Sequence, residues 1–434
     1  MNKAEKDWEY KERAVLVGVD LPGDHGEIKE DFERSMEELH NLAKACLIEP
    51  VALVTQKMAA VNKGLYIGIG KVQEVKETAR LLSADLVIFD NSLTPSQLGN
   101  LQEELGMPVI DRTALILDIF KSRARTREAR LQVETAKLQY LLPRLIGMHE
   151  ALTRQGGTSG SMSSRGVGEK KLELDRRRIE HRLTELRKEL KDVERERSVQ
   201  GKMRRESRLP LVALIGYTNA GKSTIMNGMV ERYVKDEDKK VLEKDMLFAT
   251  LDTTVRRINT GNNRDFLLSD TVGFINKLPH SLVKAFRSTL EEVKNADLLL
   301  QVVDYADPFH MQQMKTTQET LAELSAGDIP MITVFNKADL CEEPVLYPRI
   351  MGEKIYMAAK EETSLSLLVE LILEKVYSDF VETRLLIPYE KGSIISYFRE
   401  NAHIISQEYR EEGTELLVRC HRADRDKFAE YVRN

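Results

Sequence analysis

The chain has 434 residues, of which 42% are hydrophobic and 31% charged, with a net charge of −5. That length exceeds one hydrophobic core and predicts two to four domains, with some long, charged helix among them. The three cysteines (Cys46, Cys341, Cys420) form no CxxC or Cys/His ligand spacing, no run of 18 apolar residues exists, and the opening MNKAEKDWEYKERAVLV lacks the apolar core of a signal peptide. These features exclude a disulfide framework, a zinc site and a membrane span, and predict a cytoplasmic protein.

Charge is unevenly placed. Between Lys121 and Arg208 stand 24 lysines and arginines against 13 acidic residues, so the rest of the chain carries the whole negative balance. On charge alone two readings of this block stay open: a polyanion-binding arm, or a solvated helical face.

In chain order, RAVLVGVDL reads as a strand and KEDFERSMEELHNLAKAC has the apolar spacing of a helix. PVALVTQ (strand), GKVQEVKETARLLSA (helix) and DLVIFD (buried strand) follow. TPSQLGNLQEELG predicts a helix capped by Thr94, ahead of the strand PVIDR. The alternation predicts an α/β domain with a largely parallel sheet over residues 1–113. Gly68 and Gly70 in GLYIGIGK fall short of a phosphate-binding fingerprint and read as turn residues before a nucleotide site.

From residue 114 to 207 the chain turns helical. Leu131, Leu138 and Leu145 recur every seven, with Leu142 beside them. Leu172, Ile179, Leu186 and Val193 do the same, interleaved with Leu183 and Leu190. Two such seams predict an antiparallel helical hairpin. Its connection, the Gly/Ser-rich stretch 154–171, reads as a loop carrying Arg154, Arg165, Lys170 and Lys171 at the tip of a basic arm.

LPLVALIGYTNAGKSTIMNGMV predicts strand, glycine loop and helix, and DFLLSD, DLLLQVVD and IPMITVFN predict further strands. They define a second α/β unit over 208–384. Residues 385–434 read as strand–helix–strand–strand–helix, a small α+β domain.

Gly216-Tyr217-Thr218-Asn219-Ala220-Gly221-Lys222-Ser223, followed by Thr224, matches GxxxxGK[ST] between a strand and a helix. There the glycines turn backbone N–H groups toward phosphates, Lys222 neutralises the β/γ oxygens, and the Ser223 hydroxyl is placed for Mg²⁺. Asp270-Thr271-Val272-Gly273 ends the FLLSD strand. Asp270 would hold the Mg²⁺ shell through water and the Gly273 N–H would meet the γ-phosphate. Asn336-Lys337-Ala338-Asp339 follows MITVF. A carboxylate at Asp339 accepts from guanine N1–H and the 2-amino group, two donors adenine lacks, so the expected nucleotides are GTP and GDP. Ala358, Ala359 and Lys360 stand where a backbone N–H would read guanine O6.

These motifs, together with YIGIGKV, FDNSLTPSQLGNLQ, VIDRTALILDIF, RLQVETAKLQYLLPRL, FATLDTT and DTVGFINKLPHSLVKAFRSTLEE, resemble the HflX family of translational GTPases over nearly the whole chain. The resemblance implies a multidomain α/β architecture: an N-terminal α/β domain, a helical hairpin, a P-loop GTPase domain and a small C-terminal α+β domain. It implies a monomer that binds the large ribosomal subunit and ribosomal RNA in its GTP state and splits or rescues stalled or idle ribosomes. It further implies some association with stress, and a cytoplasmic location in part on ribosomes or the membrane surface. By position, Phe248-Ala249-Thr250-Leu251-Asp252 would be switch I, with Thr250 completing the Mg²⁺ shell. Phe274 takes the place of the glutamine that positions water in Ras-like switches. Catalysis resting on Lys222, Thr250 and Gly273 would then be slow until a partner raises it. Asn219 stands where related GTPases coordinate K⁺, though it could equally serve only to stabilise the loop. The family's hairpin tip is shorter, and its guanine loop has serine where this chain has Ala358. Two other readings stay open: an RNA-remodelling NTPase with ATP on the N-terminal domain, and a GTP-dependent ribosome assembly factor.

Overall fold

The computed structural model describes residues 12–21, 30–155, 162–206, 209–234, 254–261, 264–271, 273, 293–341, 345–378 and 380–433, with backbone path alone for 30, 31, 146–155, 162–172, 194, 197–206 and 400. These residues fall into two compact units, one through Gln200 and one from Gly201 onward.

In the first unit β1 (Glu12–Asp20), β2 (Ile48–Lys57), β3 (Leu86–Phe89) and β4 (Val109–Asp111) form a parallel sheet in the order β2-β1-β3-β4. The crossovers are α1 (Glu30–Ala45), α2 (Ile69–Leu81) and α3 (Pro95–Leu105). Thr94 caps α3 as its sequence predicts: the hydroxyl accepts from Gln97 N at 3.3 Å, and Gln97 Oε1 accepts from Thr94 N at 3.0 Å, a capping box. Gly68 is the N-cap of α2 and donates to Gln56 Oε1, with Gly70 in the first turn, so this glycine pair opens a helix.

Buried charge lies at the C-terminal edge of this sheet. Arg112, 2% exposed, pairs with Asp90 at 2.5 Å and with Glu38, while Ser35 Oγ donates to Asp90 at 2.7 Å. Asp111 caps α4 (Arg112–Arg123) through Ala114 N and accepts from Tyr140 OH and Arg144 Nη2, both at 2.8 Å. Tyr140 and Arg144 sit on α5 (Arg127–Gln155), so this carboxylate ties the first arm helix to the sheet. Burial first, and then the Asp111 carboxylate, raise the Tyr140 hydroxyl well above the phenol range.

α5 and α6 (Met162–Glu206) are the two helices of the arm, and both apolar seams turn inward: Leu131, Leu183 and Leu186 are buried. Arg182 on α6 reaches Glu134 on α5 at 2.8 Å. The expected loop over 154–171 is corrected here. α5 runs through Gln155 and α6 already begins at Met162, so most of that stretch is helical. Helix propagation adds one backbone hydrogen bond per residue at little cost, and a long helix extends through two glycines that local composition assigns to a loop. The side chains of Arg154, Arg165, Lys170 and Lys171 lie outside the described residues.

The second unit is built on a seven-stranded sheet, order β10-β11-β9-β8-β5-β7-β6. The strands are β5 (Leu211–Gly216), β6 (Thr254–Ile258), β7 (Phe266–Asp270), β8 (Leu298–Asp304), β9 (Met331–Asn336), β10 (Arg349–Met351) and β11 (Lys354–Tyr356). Helices α7 (Lys222–Tyr233), α8 (His310–Glu323) and α9 (Glu362–Val376) flank it. Ile225, Met226, Met229 and Val230 of α7 and Leu365, Leu368 and Ile372 of α9 share one core with the sheet. Gly228 permits their close packing, since a β-carbon there would stand 2.5 Å from Leu365 Cδ1. The central β5 has β7 on one side and β8 on the other. This is the switch point at which open α/β sheets bind ligands.

The remaining residues form a four-stranded antiparallel sheet, β13-β14-β12-β15, from β12 (Phe380–Ile387), β13 (His403–Arg410), β14 (Gly413–His421) and β15 (Val432–Arg433). With α10 (Gly392–Asn401) and α11 (Arg422–Lys427) this is a split β-α-β arrangement. The two-residue closing strand β15 extends the expected order by one.

Candidate nucleotide site

The site gathers at the C-terminal ends of β5, β7 and β9. After β5 the chain turns through Gly216 (φ 141°), Asn219 (φ 62°) and Gly221 (φ 100°) before α7 begins. A β-carbon on Gly216 would run into the Val302 carbonyl, and one on Gly221 into the Asn336 amide. Only glycine fits either place. Gly273 is as tight, for a β-carbon there would lie 2.8 Å from Thr218 Cγ2 and 3.0 Å from Lys222 Nζ. This close approach joins the end of the β7 segment to the glycine loop.

Lys222 is buried, and its ammonium donates to the carbonyls of Gly216 at 3.0 Å and Tyr217 at 2.7 Å. Desolvation pushes its pKa down to about 8, against the opposing field of Asp270. Ser223 Oγ donates to Asp270 Oδ2 at 3.1 Å, which brings the two expected Mg²⁺ groups together. Thr271 Oγ1 donates to Leu214 O at 2.6 Å and fixes the exit of β7 beside β5. The buried Thr218 hydroxyl finds no hydrogen-bond partner among the described residues. The Asn219 side chain is exposed, on a backbone with φ 62°. Thr224 is half-buried in the first turn of α7.

On the base side, Asn336 bridges two loops: Nδ2 donates to Ala220 O at 2.9 Å and Oδ1 accepts from Ala359 N at 2.9 Å. Ala338 N donates to Met357 O at 3.1 Å, so the two loops also meet through backbone. Asp339 and Lys360 are exposed, while Ala358 and Ala359 are buried. Ala358 N donates to Ser364 Oγ at 3.3 Å, which gives the alanine loop a serine partner from α9.

Lys337 adopts φ 62°, and its ammonium pairs with Asp304 Oδ2 at 2.7 Å. Asp304 Oδ1 in turn accepts from Ala306 N at 3.2 Å. Asp304 and Ser364 are not recognised from the sequence. An aspartate ending the strand DLLLQVVD is the signal that could have found the first. Phe248, Ala249, Thr250, Leu251, Asp252, Val272 and Phe274 lie outside the described residues.

A P-loop lysine, a serine–aspartate pair beside it and an aspartate-bearing base loop have thus come together on one sheet edge. Curated relatives match over about nine-tenths of the chain. GTPase HflX of Caldanaerobacter subterraneus is 42% identical over 93% of this chain and 90% of its own. The chain belongs to the HflX GTPase family. Escherichia coli GTPase HflX is 36% identical, covering 94% of this chain and 92% of its own. Three family descriptions match in series: GTP-binding GTPase N-terminal over 33–121, GTP-binding GTPase middle region over 123–204, and 50S ribosome-binding GTPase over 211–337. A solved GTP-binding protein from the archaeon Sulfolobus solfataricus, in complex with GDP, covers 85% of this chain and 99% of its own, at 24% identity and a TM-score of 0.42. The chain is a GTP-binding P-loop GTP hydrolase. Among the described residues no helix is long and apolar enough to cross a membrane.

Proposed function

We propose that this GTPase binds the large ribosomal subunit in its GTP state, separates or rescues stalled or idle ribosomes, and leaves after hydrolysis. The supporting observation is the match of residues 211–337 to GTPases described as 50S ribosome-binding, on a chain that also carries a long cationic arm. Residues 1–113, 114–207, 208–384 and 385–434 serve as its four domains.

In this reading the Gly216–Thr224 loop wraps the phosphates and Lys222 exchanges its two carbonyl partners for β/γ oxygens. The glycine cradle, which side chains at Gly216, Gly221 and Gly273 would fill, fits a phosphate chain. The paired Ser223 and Asp270 oxygens fit Mg²⁺, with Asp270 acting through water and Thr250 joining in the GTP state. Mg²⁺ held there would supply positive charge against the charge developing on the phosphate oxygens. Asn219 would hold K⁺ beside the phosphates. Asp339 reads guanine, with the Ala358–Lys360 loop at O6. Phe274 cannot orient water, so intrinsic turnover is slow and the ribosome accelerates it.

Co-sedimentation with ribosomes in GTP-analogue, GDP and nucleotide-free states tests this, with subunit separation followed in the same gradients. Binding and separation in the GTP-analogue state alone is the expected result. Equal binding in all three states would overturn it. In parallel, Thr250→Ala should spare GDP affinity and abolish the GTP-specific state; equal loss of both affinities would misplace switch I.

A further inference from the structure

With Phe274 in the place of glutamine, the attacking water needs another polar group at the terminal phosphate. The phosphate loop holds one without a partner. Thr218 is only 7% exposed, and its hydroxyl, closed off from solvent, makes no hydrogen bond among the described residues. The nearby hydroxyls of Ser223 and Thr271 are engaged, the first with Asp270 Oδ2 at 3.1 Å and the second with Leu214 O at 2.6 Å. Native buried polar groups are almost always paired, because an unpaired one opposes folding. Valine has the same shape as threonine and would pack here without that cost. A hydroxyl kept in such a place fits a partner that arrives with the ligand.

The position of Thr218 indicates which partner. A β-carbon on Gly273 would lie 2.9 Å from Thr218 Cα, 2.8 Å from Thr218 Cγ2 and 3.0 Å from Lys222 Nζ. Thr218 therefore stands against both groups proposed to meet the γ-phosphate, the Gly273 N–H and the Lys222 ammonium. In this structure the ammonium donates to Tyr217 O at 2.7 Å, the carbonyl of the peptide bond that leads into Thr218. Its move to the β/γ oxygens would release the backbone at this residue.

We propose that Thr218 is the water-positioning residue of GTP hydrolysis: its hydroxyl accepts a hydrogen bond from the attacking water and donates one to a γ-phosphate oxygen. From there the water oxygen bonds to the γ-phosphorus as the bond from phosphorus to the β–γ bridging oxygen breaks, and that electron pair leaves on GDP. One water proton stays on the attacking oxygen and the other passes to a γ-phosphate oxygen, giving dihydrogen phosphate. The threonine ends unchanged. This role rests on the proposed placement of the γ-phosphate at Gly273 and Lys222, and is independent of the ribosome.

The test compares full-length wild type with Thr218→Val and Thr218→Ser. GTP hydrolysis is followed with the protein alone and with isolated large ribosomal subunits, beside GTP-analogue and GDP affinities and the melting temperature without nucleotide. Thr218→Val keeps the shape and should slow hydrolysis by about tenfold or more. Both affinities should hold, so that kcat and kcat/KM fall together, as for a contact made in the transition state. The melting temperature should hold or rise, since a methyl replaces an unpaired hydroxyl. Thr218→Ser keeps the hydroxyl and should keep most of the rate, while the lost methyl lowers the melting temperature. A valine variant at the wild-type rate overturns the proposal. Equal rate losses in the two variants would make the side chain a packing spacer beside Gly273 and also overturn it. So would a loss of GTP-analogue affinity that accounts for the whole rate loss. If subunits leave the wild-type rate unchanged, the ribosome reading alone fails; a slow valine variant beside a near-normal serine variant in the free protein still upholds Thr218.

Discussion

The parallel N-terminal sheet and the mixed seven-stranded sheet both place charged side chains at the C-terminal ends of their parallel strands, and treat them in opposite ways. In the N-terminal sheet each buried charge meets a charge: Arg112 with Asp90 and Glu38, Asp111 with Arg144 and the Tyr140 hydroxyl. In the GTPase sheet the buried Lys222 ammonium meets two backbone carbonyls, at the cost of a depressed pKa. The first edge is satisfied by its own chain and holds the arm. The second carries an electrostatic cost to folding that binding of an anion would relieve. Burial of charge alone therefore does not mark a ligand site; what distinguishes the two is which groups complete the charge.

The comparison breaks most visibly at Arg112. Arg112→Ala leaves Asp90 and Glu38 buried without their cation, and should cost about 3–5 kcal/mol. Urea unfolding of the N-terminal unit would show it. A loss below about 1 kcal/mol would mean that the cluster is not structural and would reopen this edge as a site.

Lys222→Met is the counterpart. It should weaken GTP and GDP binding by at least about a hundredfold, since charge-assisted contacts contribute roughly 1.5–3 kcal/mol each. Because the lysine is buried without a carboxylate in contact, the melting temperature without nucleotide should hold or rise. A fall of several degrees would place Lys222 with Arg112 as a structural residue.

On the base side, Asp339→Asn should lose GTP affinity by about 2 kcal/mol, from two hydrogen bonds to a charged acceptor. It should gain xanthine nucleotide affinity, because the amide donates where xanthine offers a 2-oxo group. Unchanged GTP affinity in a titration sinks the assignment.

Local signals were legible and long-range ones were not. Thr94 and Gln97 are three residues apart, so their capping box can be read directly. The positive φ of Gly216 and Gly221 is likewise a local turn requirement, although the close approach of Val302 and Asn336 that also demands glycine there is not. By contrast Arg112 and Glu38 are 74 residues apart and Arg144 and Asp111 are 33 apart. Each looks in sequence like an ordinary surface charge. β10 has three residues, all exposed, and so offers no alternation to detect. The helical start of α6 was missed for the reverse reason: local Gly/Ser composition outweighed the propagating helix.

Asp304 is where that blindness touches the site itself. It holds Lys337 from 33 residues away, at 2.7 Å, and is itself fixed by Ala306 N. The ammonium is anchored there while the Lys337 backbone holds φ 62°, two residues before Asp339, the residue proposed to read guanine. Asp304→Asn removes the charge of the anchor while keeping its size and hydrogen-bonding reach. Both partners are partly exposed, so the loss should be about 1 kcal/mol, or less than tenfold in affinity. A base-side anchor predicts equal losses for GTP and GDP with unchanged Mg²⁺ dependence. A phosphate-side role would weaken GTP more than GDP. Titrations of both nucleotides at two Mg²⁺ concentrations separate these outcomes, and a GTP-selective loss would move Asp304 out of the base pocket.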